Sequence, residues 1–442
     1  MNKPLCLVTA PVATRSGYGA HARDICRALI KLDKYDVKIW NVRWGNTPMN
    51  ALNEQDPNDK IIIERLLQNP QLPKQPEIHF HIVIPNEFNP MGKFNVGITA
   101  GLEMTACPPA WIEGMNRMNM NIVPSNFVKN TMNSIVFDIT DEQTKQKKGE
   151  LKNNTPIEVL FEGTDTNIFK KTDKFSQPFL DEIKKVKESF NFLYVGHWLQ
   201  GDLGKDRKDT GMLLKVFLET FKNMKNKPGL IMKTSGAGFS VLDREQMLSK
   251  IISIKKMIKG DLPNVYLLHG DFTDDEMNEL YNHPKVKAHV NLTHGEGFGR
   301  PLLEATISQK PVIAPNWSGH VDFLNDKQAI LLNGNLGNVE RGSVPDEFLV
   351  DGSQWFTVNY QEASAYIKDV FKNYRKYSLN AKKLGTINKS KFSLDAMTKQ
   401  LDVILEKYIP EFPQEVKLNL PKLKKVGGDN LPKIKLPKLK KV

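Results

Sequence analysis

Residues 293–304 read THGEGFGRPLLE, the composition of a loop that opens a helix. The apolar run 286–292 ends just before them and reads as a strand. Gly295, Gly297 and Gly299 allow a ligand or another backbone to approach closely, and Pro301 suits the first turn of a helix. Glu296 stands in the loop and Glu304 one or two turns into the helix. A loop carboxylate can accept hydrogen bonds from sugar hydroxyls, and free N–H groups at a helix start favour a phosphate or diphosphate. The alternative is a solvated glutamate on an ordinary strand-to-helix loop.

Outward from this stretch, the second half of the chain alternates strand and helix. Strands are expected at 192–195, 229–233, 265–270, 286–292 and 311–314. Helices are expected at 210–221, 242–259, 274–281 and 301–308, with a short one at 318–323. The first half opens the same way, with an apolar strand over 4–9, a turn-rich segment over 13–19, a helix over 21–32 and a second strand over 35–42. Further strands fit 78–84, 94–99, 121–123 and 158–161, and the charged run 138–154 reads as an exposed insertion or hairpin. A lysine-rich helical stretch over 181–190 places the domain junction near 185. The fold class is α/β: two doubly wound Rossmann-like domains facing each other across a cleft, followed by a basic C-terminal tail. The expected division is 1–184, 185–390, a closing helix at 391–410 that returns to the first domain, and a tail at 411–442.

Composition supports this reading. A chain of 442 residues exceeds what one core sustains, and 40% hydrophobic with 25% charged residues is globular rather than disordered. Cys6, Cys26 and Cys107 are too few and too scattered for a disulfide framework, and no CxxC pair suggests zinc. The apolar start over 4–12 is too short to span a membrane, so a cytoplasmic protein is expected. The formal charge of +12 divides evenly: the last 32 residues hold nine lysines and three acids, a net +6, and the other 410 residues hold the remaining +6.

The segment Ser16-Gly17-Tyr18-Gly19 is neither a dinucleotide fingerprint nor a Walker A loop, and a tight turn without a ligand explains it equally well. Together with other segments, however, it enters a larger pattern. GEGFGRPLLEATISQKPVIAPNWSGHVDFL, from Gly295 to Leu324, closely resembles the signature of retaining glycosyltransferases of family 4 with the GT-B fold. Four other pieces resemble the same family in the same order: the glycine loop at 16–19, residues 101–125 ending in VPS, EGTDTNIF at 162–169, and 192–217. The resemblance covers roughly residues 4–408.

That resemblance implies a nucleotide-activated sugar, a UDP- or GDP-sugar, as donor substrate, with no cofactor and no metal required. It implies that Glu296 contacts the transferred sugar and Glu304 the ribose. It also places the backbone of Gly297, Phe298 and Gly299 near sugar and diphosphate, with Gly17 and Gly19 on the facing domain. A basic pair normally neutralises the diphosphate. Here the first position falls on His197 or Trp198, and the second on Lys208, with Arg207 and Lys205 as rivals. A leaving diphosphate needs positive charge or N–H donors, which makes Lys208 the catalytic candidate beside Glu296. Glu103 could orient the acceptor or serve as a cap or ion-pair partner. Lys233 ends an apolar strand and could reach a phosphate. Trp317 reads either as donor-pocket wall or as packing, Trp111 as core, and His81 as a strand histidine. The tract 46–58 lies where such enzymes place acceptor loops. No DxD metal site is evident.

The tail repeats LPKLKKV at 420–426 and 436–442 around LPKIK at 431–435. Its prolines exclude one continuous helix, and its charge suits an anionic partner, whether nucleic acid, acidic protein or membrane surface. The leading expectation is a retaining glycosyltransferase with an unidentified acceptor. The alternatives are a catalytically silent GT-B protein that binds through its tail, and a glycosyltransferase acting on DNA bases.

Overall fold

The computed structural model describes residues 3–69, 71–236 and 238–413; the repeats expected over 420–442 lie outside them. Eight strands form in the first part of the chain: β1 (Leu5–Ala10), β2 (Asp36–Asn41), β3 (Ile78–Ile82), β4 (Phe94–Ile98), β5 (Met120–Val123), β6 (Val136–Thr140), β7 (Lys147–Lys152) and β8 (Ile157–Val159). Six make a parallel sheet in the order β2-β1-β3-β4-β5-β8. β6 and β7 pair antiparallel as the charged hairpin. β1 and β3 are buried along their whole length, as strands covered on both faces must be, with His79 and His81 alternating among the apolar residues of β3.

A second six-stranded parallel sheet follows: β9 (Asn191–His197), β10 (Gly229–Ser235), β11 (Val265–Leu268), β12 (Val286–Val290), β13 (Val312–Pro315) and β14 (Ile330–Leu332), ordered β11-β10-β9-β12-β13-β14. A small antiparallel pair, β15 (Gly334–Asn338) and β16 (Gln354–Val358), lies beyond it. In each sheet the first strand lies inside, β1 between β2 and β3, and β9 between β10 and β12. Strand order reverses there, and the loops leaving the carboxyl ends on either side diverge and open a crevice.

Several local expectations shift. The first helix runs Gly17–Leu32, starting four residues earlier than the apolar spacing suggests, because Ser16 caps it by accepting from the Gly19 amide. The lysine-rich helix is displaced to Gln177–Ile183, with proline in its first turn. Phe169, Phe179, Ile183 and Val186 pack with Leu193 and Ile231 in the second sheet's core. The changeover between cores therefore precedes the junction expected near 185. At the other end, helix Leu394–Tyr408 returns Met397, Leu401, Ile404 and Leu405 to the first sheet's core. No described helix is long and apolar enough to cross a membrane.

Four histidines sit in these cores. Burial lowers the pKa of His21 and His81 to about 4, and of His79 and His289 to about 3. Unfolding exposes them to water, where they take up protons below about pH 6.5. Their contribution to stability is therefore present above that pH and is lost as the pH falls toward 4. Neither ring nitrogen of His289 meets a hydrogen-bond partner among the described residues. His289→Leu should consequently raise stability at pH 5 by about 2 kcal/mol more than at pH 7.5. Thermal melts at both pH values test this, and an equal shift at each would refute it.

Candidate active site

Two loops leave the carboxyl ends of the adjacent strands β9 and β12 and meet over the second sheet's switch point. The first carries Arg207 and Lys208 and is pinned from both sides. Asp206 accepts from the Thr210 amide at 2.9 Å, and Asp209 accepts from the Tyr360 hydroxyl at 2.7 Å. Asp209 has φ +49°, a left-handed conformation that aspartate tolerates better than most residues. Burial pushes its carboxyl up to about 8, against the Tyr360 hydrogen bond.

The second loop carries Glu296. Its amide donates to Ser318 Oγ at 2.9 Å, and its carbonyl accepts from the Gly319 amide at 2.9 Å. The contact admits only glycine at 319, where a Cβ would lie 2.0 Å from the Gly297 carbonyl oxygen. Gly299 has φ +95° and caps helix Arg300–Ile307.

Lys208 Nζ donates to both carboxylate oxygens of Glu296. Glu296 is buried, and its surroundings would raise its pKa. Lys208, then Arg207, outweigh that effect and hold the carboxyl below its usual range. Burial pulls Lys208 down while Glu296 supports its charge. The pair is therefore ionised near neutral pH.

The first sheet contributes the facing wall. Arg207 Nη1 donates to Glu103 Oε1 at 2.5 Å, and Ser125 Oγ donates to the Gly297 carbonyl at 2.7 Å. A Cβ at Gly297 would lie 2.5 Å from the Ala100 carbonyl oxygen, and one at Gly295 would meet Glu103 and Trp317 at 2.8 Å. The two glycines let the loops of the opposed sheets touch.

Most of the residues singled out in the sequence converge here. His197 ends β9 at the cleft mouth, with Nδ1 3.3 Å from Ser235 Oγ. The ring is exposed to solvent at its edge, yet the atoms packed around it, then Lys208, Arg207 and Lys233, lower its pKa to about 4. Lys233 lies two residues before the end of β10, but its Nζ donates to the Gly270 carbonyl at 2.9 Å and lies over Phe272 at 4.8 Å. The Phe298 side chain is core, against Phe323 and Phe392, leaving only its backbone toward the cleft loop.

Glu304 is buried, with Arg300 Nε donating to Oε1 at 3.1 Å and the Tyr281 hydroxyl to Oε2 at 3.1 Å. Burial raises its pKa to about 7 despite Arg300. Lys205 pairs with Glu340 at 2.5 Å, whereas Lys208 pairs with Glu296.

The two glycines of the first loop part company. Gly17 faces open space, whereas a Cβ at Gly19 would lie 2.4 Å from the Thr14 carbonyl oxygen. The Gly19 amide donates to Ser16 Oγ at 3.0 Å, so that part of its close packing serves the loop itself. Trp317 packs edge-on against Phe127 across the two sheets at 4.7 Å, Trp111 is core, and His81 Nδ1 accepts from the Asn89 amide at 3.1 Å. Sequence reasoning gave Arg300, Asp24 and Tyr281 no role. Arg300 stands one helical turn before Glu304, and Asp24 is a charge on the apolar face of its helix, between buried Ala22 and Ile25.

Removing one partner of a buried pair leaves an uncompensated charge. Lys208→Met should cost about 3–5 kcal/mol, and adding Glu296→Gln should restore most of that loss. Urea denaturation of the single and double variants measures the coupling, and strictly additive losses would contradict it.

No protein-family model and no curated relative matches the chain. Solved structures do match over nearly its whole length. HepE from Anabaena in complex with UDP-glucose shares 13% identity at TM-score 0.58, covering 91% of this chain and 100% of that one. Sucrose-phosphate synthase from Thermosynechococcus elongatus shares 13% at TM-score 0.59, covering 92% and 99%. A glycosyltransferase from Rickettsia africae shares 16% at TM-score 0.56, also covering 92% and 99%. At such identities the likeness is one of architecture, and this chain has the GT-B fold: two parallel-sheet Rossmann-like domains with their strand ends facing across a cleft.

Proposed function

We propose that the chain is a glycosyltransferase that moves a sugar from a nucleotide-activated donor to an acceptor with retention of anomeric configuration. The observation that carries this reading is the Lys208–Glu296 pair, set by two loops over the switch point of the second sheet, where doubly wound sheets bind their ligands. Solved structures of the same fold in complex with UDP-glucose support a UDP-sugar as the first donor to try.

In this reading the donor lies against the second domain. Glu296 accepts hydrogen bonds from hydroxyls of the transferred sugar, and Glu304 from the ribose. The backbone of Gly297 to Gly299 and of Gly17 lines the diphosphate. Lys208 and Arg207 take up the negative charge that grows on the diphosphate as the bond to the anomeric carbon breaks, which is where fixed cations accelerate such a step. The departing oxygen accepts the proton of the acceptor hydroxyl, which attacks on the same face. Glu103, which orients Arg207 from the first domain, stands on the acceptor side.

The test is a donor panel of UDP- and GDP-sugars offered with glycan, lipid, protein and DNA acceptors, read by mass spectrometry. The wild-type chain should transfer sugar, and Glu296→Gln should lose at least about 100-fold in kcat while still folding. Undiminished turnover by that variant would remove Glu296 from the reaction. The absence of transfer and of nucleotide binding by the wild type would instead favour a silent binding protein.

A further inference from the structure

Asp24 sits on helix Gly17–Leu32 of the first domain and is 3% exposed. Its Oδ2 accepts from Arg300 Nη1 of the second domain at 2.7 Å, and its Oδ1 from Arg27 Nη1 at 3.4 Å. Arg27 is held in turn by Asp59, whose Oδ1 accepts from Nη2 at 2.7 Å. On its other edge Arg300 donates through Nε to Glu304 at 3.1 Å. One guanidinium thus bridges a carboxylate of each domain.

We propose that Arg300 is a positioning residue for the donor, through which Asp24 of the first domain sets the orientation of Glu304 in the second. This rests on the donor reading above, in which Glu304 meets the ribose. Neither Arg300 nor Asp24 is assigned a donor contact.

The geometry gives the mechanism. An ionised carboxylate has about four lone-pair positions. Arg300 takes one on Oε1 and Tyr281 one on Oε2, which fixes the carboxylate plane and leaves the remaining positions for a pair of hydroxyls. Arg300 also opposes the burial that favours the protonated form of Glu304, a form with fewer acceptor positions. An arginine four residues before a glutamate on one helix has several rotamers available. Asp24 selects the one in which the flat guanidinium meets Glu304 edge-on, and a second pair of this kind on the far side holds Asp24 itself.

The experiment is isothermal titration calorimetry of the full chain with UDP and with GDP. For the nucleotide that the wild type binds, Asp24→Asn should raise Kd roughly tenfold at pH 7.5. In a Glu304→Gln background the same substitution should change Kd less than twofold. Should Asp24→Asn fail to fold, Arg300→Lys, whose single ammonium cannot span both carboxylates, supplies the same comparison with the same expected pattern. An unchanged Kd with a lowered melting temperature, or equal loss in both backgrounds, would overturn the proposal while leaving the donor reading intact. A wild-type chain that binds neither nucleotide overturns the donor reading first, and this inference with it.

Discussion

A carboxylate cannot be taken out of water alone, and the Lys208–Glu296 pair imposes that rule on a large part of the molecule. Removing either charge from solvent costs several kcal/mol unless the partner arrives in good geometry. The two residues are 88 positions apart in sequence and meet only because β9 and β12 are neighbours whose carboxyl ends point the same way. Each loop is then held independently of the pair. Asp206 and Asp209 brace the lysine side, and Ser318 and Gly319 the glutamate side. Because the Glu296 loop also presses its glycines onto Ala100 and Glu103, the same constraint fixes how closely the two sheets approach.

Features that rest on local chemistry were legible in the sequence. The parallel strands read as short apolar runs because both faces are covered, and THGEGFGRPLLE read as a strand-to-helix loop because its glycines and Pro301 admit little else. Lys208 could be matched to Glu296 only through the family resemblance, not from spacing. The hairpin of β15 and β16 went unread because GNLGN lacks the alternation that marks a strand. The close approach of the Thr14 carbonyl to Gly19 went unread because a glycine that admits a ligand and one that admits a neighbouring carbonyl look alike in sequence. The Asp24–Arg300 contact spans 276 positions, and nothing local to either residue names its partner. That Phe169 and Phe179 join the second core went unread because they do so through packing, not through a break in composition.

The neutral imidazole of His197 bears on how the cleft can serve a diphosphate. Packing around the ring, and after it the charges of Lys208, Arg207 and Lys233, disfavour its protonated form. A bound dianion reverses that balance, since opposite charge favours the protonated ring. In the proposed reading the charge of this position therefore depends on the bound diphosphate. Standing positive charge falls instead to Arg207 and Lys208. Each is already tied to a carboxylate that the proposed reaction uses, Glu103 toward the acceptor and Glu296 toward the sugar. Charge on the leaving side and hydrogen-bond acceptors on the sugar side are thus set by the same two contacts. The orientation of Arg207 in particular depends on the first domain, because the carboxylate that accepts its hydrogen bond stands on the loop leaving β4.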